Sequence, residues 1–263
     1  MTPRDVWLLD TTAVGRRVLV YDRLESTNTL AAQLANSAEH EQLAILADEQ
    51  IAGRGQHGRT WSAAPGSSVL LSLLLFPPDF LRRPPILTAW AAVSVCLTIH
   101  DLTGFQATIK WPNDVLVDGK KVCGILIEQG RGTVVGIGLN VRQTPDDFAA
   151  AGLIATSINQ IAATAFGTEQ VARRLLQTLD AELGRLCAGD CGTLETRWSE
   201  HLGLLGKQVV AECPNIKYSG RLSDITFAEV AIEPRGGPSL VLRPEQVLHL
   251  DAAPLQDSRA ALR

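Results

Sequence analysis

The chain has 263 residues, 46% of them hydrophobic, and a net charge of −4. That is enough chain for a sizeable core, as one large domain or two unequal ones. It carries no overall basic field of the kind that holds nucleic acid. The longest apolar stretch, residues 86–99, is interrupted by Thr88, Ser94 and Thr98; it is too short for a membrane span and suits a buried helix.

In chain order, residues 19–21 read as the first strand, after only a short, non-basic leading segment. Ser26 or Thr27 then caps a helix carrying Leu30 and Leu34 on one face. An apolar run over 43–47 ends at Asp48-Glu49-Gln50 and leads into a glycine-rich loop, 52–61. Residues 68–76 are strand-like and stop at Pro77-Pro78. Residues 85–103 open with proline and carry Trp90, Val93 and Leu97 at helical spacing. Strands are predicted at 108–111, 122–128 and 133–141. Between the first two lie Pro112-Asn113-Asp114 and the tight turn Asp118-Gly119. Residues 168–187 place Val171, Leu175, Leu179, Leu183 and Leu186 on one helical stripe, and a second helix is expected over 194–202. Beyond Gly203 short apolar runs alternate with turn residues. Segments 209–210, 220–222, 227–232 and 239–242 read as strands of a small barrel. The predicted organisation is a mixed α+β domain over 1–204, an all-β module over 205–252 and a frayed tail over 253–263.

Five cysteines (Cys96, Cys123, Cys187, Cys191, Cys213) occur without a CxxC pair and read as free thiols. The opening MTPRDVW has Pro, Arg and Asp where a signal peptide would be apolar, so a cytoplasmic location is expected. Of the 24 basic residues only five are lysine, and Lys110, Lys120 and Lys121 cluster, which suggests a place where a compact ammonium is wanted.

Four segments carry chemistry. The first, Gly53-Arg54-Gly55-Gln56-His57-Gly58-Arg59-Thr60-Trp61, combines glycines that expose backbone N–H groups, two arginines and a flat indole. Either a phosphate and nucleobase site or a mobile basic turn would need these residues. It is neither a Walker loop nor a dinucleotide fingerprint. In the second, Lys110-Trp111-Pro112-Asn113-Asp114, Asp114 is placed to hold Mg²⁺, although an Asx turn between strands would also look this way. In the third, Lys121-Val122-Cys123-Gly124-Ile125-Leu126-Ile127-Glu128, Lys121 stands at the strand mouth and Gly124 marks close approach by a ligand. The fourth, Gly136-Ile137-Gly138-Leu139-Asn140-Val141, suits a ligand lying across a sheet or simply tight packing.

In this order and spacing, GRGxxGRxW, KWPND, KxxGIL and GxGxN resemble the catalytic domain of biotin–protein ligases. Ser26-Thr27-Asn28, Gln50 and Ala155-Thr156-Ser157 match as well. The resemblance covers about residues 18 to 250. It implies a mixed β-sheet backed by helices, a class II synthetase-like catalytic domain, with a small C-terminal SH3-like β-barrel. It implies ATP and Mg²⁺ as cofactors, biotin as substrate and a biotin carboxyl carrier domain as partner, without nucleic acid or membrane, and it leaves a homodimer open. Ser26, Thr27, Asn28, Gln50, Gly53, Arg54, Gly55, Gln56, Lys121 and Gly124 would form the biotin site. Arg54, Gln56, Arg59, Trp61, Asn113 and Asn140 would serve ATP. Lys121, Arg54, Lys110 and Asp114 would be catalytic, with Asp114 the metal ligand. One position departs from the family's usual Gly-Arg-Gly-Arg: the second arginine is Gln56, which can hydrogen-bond but supplies no charge. A lipoate–protein ligase and a biotin-responsive repressor are the rival readings. The short segment before the first predicted strand speaks against a helix-turn-helix domain.

Overall fold

The structure, a computed structural model, describes residues 2–254; residues 255–263, most of the predicted tail, lie outside the described residues. The larger sheet contains β1 (Asp5–Leu8), β2 (Arg17–Leu24), β3 (Leu43–Gln50), β4 (Ser68–Leu75), β5 (Thr108–Lys110), β6 (Asp114–Val117), β7 (Lys120–Gln129) and β8 (Thr133–Asn140). Its eight strands run in the order β1-β2-β3-β4-β8-β7-β6-β5. β2 and β3 are parallel and need a crossover, which α1 (Thr27–Leu34) supplies; the pairings of the other neighbours in this sheet are antiparallel.

Period-two alternation divides the side chains between two faces. Ala44 and Leu46, Val69, Leu71 and Leu73, and Val135, Ile137 and Leu139 enter the main core. There they meet α2 (Pro84–Thr103), α5 (Thr168–Cys187) and α6 (Cys191–Leu202). Leu43, Ile45, Ala47, Leu74 and Val134 point the other way, into a second cluster with Ala31 and Ala35. α2 is long and apolar enough to cross a membrane, but it is the buried core helix, with Trp90 and Val93 fully enclosed. It is apolar all round, as a helix packed on every side must be. It stops at Gly104, whose φ of 76° is left-handed.

The C-terminal segment forms an antiparallel sheet from β9 (Gln208–Cys213), β10 (Ile216–Ile225), β11 (Val230–Glu233), β12 (Leu240–Leu242) and β13 (His249–Ala252). Its order is β12-β11-β10-β9-β13. It meets the larger sheet through aromatic contacts: Trp111 lies 5.6 Å from Trp198, and Trp198 lies 5.2 Å from Phe227, between ring centroids. The Trp111 indole N–H donates to the Val247 carbonyl at 2.8 Å, and Arg83 pairs with Glu245 at 2.6 Å.

Several elements differ from the sequence reading. β1 precedes the strand expected first; four residues pairing along β2 are too short to show a period. β6 was hidden in what read as a loop, because its partners across two tight turns set it rather than its own pattern. α3 (Pro145–Ala150) is held by a capping box between Thr144 and Asp147. β13 is a late return strand beside β9.

Candidate functional site

On the face of the larger sheet that α1 covers, three strands present a floor of small residues. Ser72 of β4 pairs with Gly136 of β8, and Leu70 with Gly138. Gly136 pairs in turn with Leu126 of β7, and Gly138 with Gly124. The absence of side chains is required here. A Cβ on Gly138 would sit 2.5 Å from the Trp61 indole, and one on Gly124 2.9 Å from it. A Cβ on Gly136 would sit 2.3 Å from Asn28 Oδ1. Above this floor lies a cavity of about 390 Å³, which fits a small-molecule site.

One end of the cavity is neutral and densely hydrogen-bonded. Ser26 is the N-cap residue of α1, but its hydroxyl makes no cap bond. Instead the Gln50 side chain closes the helix: the Thr27 N–H and the Thr27 hydroxyl approach Gln50 Oε1 at 2.7 and 2.9 Å. Behind them Ser72 Oγ lies 2.7 Å from Thr27 Oγ1 and 2.5 Å from Asn28 Oδ1. Asn28 Nδ2 donates to Glu128 Oε2 at 2.7 Å. Thr27, Asn28 and Ser72 are all buried.

The other end is charged. Lys121 enters β7 and pairs with Asp114 at 2.6 Å, with the side chains 35% and 24% exposed. Its ammonium also lies 5.6 Å from the centre of the Trp61 ring, within cation–π range. The segment Ala155-Thr156 runs beside the start of β7: the Thr156 N–H donates to the Lys121 carbonyl at 2.8 Å. That explains why a short polar segment far along the chain belongs to the same pattern. Neighbouring Cys123 is no nucleophile, because burial pushes its thiol well above the ordinary range.

The glycine-rich loop is internally bonded. The Trp61 N–H donates to the Gly53 carbonyl at 3.0 Å, and the Gly55 N–H to the Arg59 carbonyl at 2.7 Å. Arg54 is tied down at both ends of its guanidinium, to Thr29 Oγ1 at 2.7 Å and Glu128 Oε2 at 2.8 Å. The Trp61 indole N–H is buried with no acceptor among the described residues.

Of the residues singled out in the sequence, Ser26, Thr27, Asn28, Gln50, Arg54, Gly55, Gln56, Arg59, Trp61, Lys110, Asn113, Asp114, Lys121, Gly124 and Asn140 all line this cavity. Gly53 faces a neighbouring shallow pocket instead, because its Cα abuts the Trp61 carbonyl, 2.4 Å from where a Cβ would stand. The amides of Asn113 and Asn140 are partly committed to the scaffold. Asn113 Nδ2 donates to the Ile125 carbonyl at 2.7 Å. Asn140 donates to the Thr156 carbonyl at 3.1 Å and accepts from Gln143 at 3.0 Å. Arg54 and Lys121 are paired with different carboxylates, Glu128 and Asp114. No group of three or more His, Cys, Asp or Glu side chains able to hold a metal occurs among the described residues. The sequence reading missed Ser72, Glu128 and His249. Ser72 had a visible signal, a hydroxyl set within the leucine run of residues 70–75; His249 reaches the cavity from the second sheet and had none.

The family model described as the biotin/lipoate A/B protein ligase family matches residues 20–143. The bifunctional ligase/repressor BirA of Bacillus subtilis is 34% identical over 220 residues, which make up 81% of this chain and 68% of that protein. The biotin–[acetyl-CoA-carboxylase] ligase of Mycobacterium tuberculosis is 33% identical over 177 residues, 64% of each chain. Among solved structures, the biotin protein ligase of Aquifex aeolicus in complex with biotin and ATP has the same fold, with a TM-score of 0.76 at 24% identity over 90% of this chain and 99% of that one. With its motifs gathered around one cavity and 34% identity to a relative of which the match spans 68%, the chain belongs to the biotin/lipoate A/B protein ligase family.

Proposed function

We propose that the chain is an ATP-dependent biotin–protein ligase. It activates biotin as biotinyl-5′-AMP and transfers the biotinyl group to one lysine of a biotin carboxyl carrier domain of a carboxylase. The observation that carries this reading is the polarity of the cavity. Its neutral end offers buried hydroxyl and amide groups on Ser26, Thr27 and Asn28 and the half-buried amide of Gln50, which suit the N–H and C=O groups of a cyclic urea. A dithiolane such as lipoate can make none of the hydrogen bonds that a cyclic urea would make to these groups, which discriminates against it. The charged end, with Lys110, Lys121 and Asp114, lies past Gly124 along β7, where the carboxylate tail of the same ligand would reach.

In the first step a biotin carboxylate oxygen attacks the α-phosphorus of ATP and pyrophosphate leaves. The obstacle is repulsion between anions, so the protein acts by positioning and by fixed positive charge. Lys121 and Arg54 supply that charge, held in place beforehand by Asp114 and Glu128. The Gly55 N–H is tied to Arg59, so the loop contributes its arginines more than its backbone donors. Trp61, in van der Waals reach of the glycine floor, covers the adenine side. Asp114 would hold Mg²⁺ as its one protein carboxylate, which fits an ion bound chiefly by nucleotide phosphates and water; the ion supplies charge neutralisation. In the second step a neutral lysine amine of the carrier attacks the biotinyl carbonyl, AMP leaves with the electron pair of the broken anhydride bond, and the new amide sheds a proton. The free thiols fit a reducing, cytoplasmic setting.

The test is ATP–pyrophosphate exchange with purified protein. Exchange that requires biotin is expected. Exchange with lipoate alone would keep the chemistry and overturn the substrate, and a gel shift with DNA would revive a repressor role.

A further inference from the structure

We propose that Glu128 is a positioning residue that sets the donor–acceptor polarity of the neutral end of the cavity, leaving Thr27 Oγ1 free to accept a hydrogen bond from a ligand N–H. The inference rests on the biotin-ligase reading and names a residue that acts on recognition without facing the urea.

Ser72 is fully buried and has one hydroxyl proton, yet it contacts both Thr27 Oγ1 at 2.7 Å and Asn28 Oδ1 at 2.5 Å. The choice between these acceptors follows from Asn28. A carboxylate only accepts, and Glu128 Oε2 faces the Asn28 amide at 2.7 Å, so the amide must turn its NH₂ toward Glu128 and its oxygen toward Ser72. Arg54 Nη2, donating to the same Oε2 at 2.8 Å, holds that carboxylate in place. Asn28 Oδ1, also an acceptor, then claims the Ser72 proton. The 2.7 Å contact between Ser72 Oγ and Thr27 Oγ1 then needs the Thr27 proton, which goes inward to Ser72 Oγ rather than to Gln50 Oε1. Both lone pairs of Thr27 Oγ1 are left unclaimed by the protein. With the Asn28 amide reversed, Ser72 would accept from Asn28 and donate to Thr27, occupying one of them. Close packing of Asn28 against Gly136 holds the amide plane, so Glu128 decides only which end is which.

The test is a double-mutant cycle on biotin affinity, measured by calorimetry on the full chain without nucleotide. Glu128→Gln is nearly isosteric at a position 35% exposed and can present either amide end to Asn28. It should raise the biotin Kd about tenfold, the scale of one charge-assisted hydrogen bond. Made on a Ser72→Ala or Thr27→Val background, the same substitution should change Kd less than about twofold, because the relay is already cut. Two independent backgrounds keep the cycle readable should one of them unfold. An unchanged Kd in Glu128→Gln overturns the inference. So does an equal loss on both backgrounds, which would mean that Glu128 acts through Arg54 alone. Absence of biotin binding by the unaltered chain overturns the ligase reading itself.

Discussion

Replacing Lys121 with alanine separates catalysis from folding. The Lys121–Asp114 pair is partly exposed, and such pairs contribute about 0–1 kcal/mol to stability. For a chain of this size that is roughly 2–4 °C in the melting midpoint. The effect on chemistry is much larger. Removing a unit positive charge about 5 Å from a reacting anion, at an effective dielectric of about 20, costs roughly 3 kcal/mol. That corresponds to a few hundred-fold in rate. Asp114, left behind without its partner, adds repulsion toward the incoming phosphates. Biotin-dependent pyrophosphate exchange should therefore fall by about two to three orders of magnitude while the melting midpoint moves only a few degrees. Lys121→Arg should recover much of the activity, since it restores charge though not the compact geometry. Exchange within threefold of the parent would refute the electrostatic role. A loss of exchange matched by a fall of more than about 10 °C in the midpoint would assign Lys121 to the fold instead.

Gly138→Ala places a methyl where the Trp61 indole now lies, at 2.5 Å. It should displace the ring and weaken ATP binding at least about tenfold, seen as altered tryptophan emission and a raised nucleotide Kd with little change in melting. Trp111→Phe removes the indole bond to Val247 and should cost about 1–3 kcal/mol by stranding a buried carbonyl; a denaturant midpoint equal to the parent's would show that this junction is not held by it. Thiol titration should find Cys187 reactive in the native chain, because it is exposed, and Cys96 and Cys123 reactive only after unfolding. Burial raises the pKa of both inner thiols, so raising the pH to 9 should not expose them. Burial is the largest single influence on Glu245 and would raise its pKa, but the bond and charge attraction to Arg83, a backbone hydrogen bond and the charge of Arg243 together outweigh it and leave it lowered. Its contribution is then present above the unfolded carboxyl's pKa and is lost as pH falls through the folded value. The stability gap between the parent and Glu245→Gln, measured by denaturant melts, should accordingly close toward low pH.

Local order in the sequence determined a good deal of this protein. The helix over Thr168–Cys187 was visible residue by residue because its apolar stripe repeats at 3.6. The strand β4 was visible because proline ends a largely apolar run. The four glycine- and lysine-bearing segments, together with their order, named the family, and they line one cavity because each lies at a strand end or on a strand of one sheet. What the chain alone did not disclose depends on partners far apart in sequence. Gln50 reaches a helix start 23 residues away. Glu128 meets Asn28 across 100 residues, and Trp111 meets Val247 across 136. Neither the short strand at Asp114–Val117 nor the return strand at His249–Ala252 has a period of its own; each exists because a neighbour supplies its hydrogen bonds. Periodicity is a local property and can be read from the chain. The direction of a proton, the pairing of Arg54 and Lys121 with separate carboxylates, and the choice of Ser72 to donate to Asn28 are set by which groups face each other, and only the packed sheet brings those groups together.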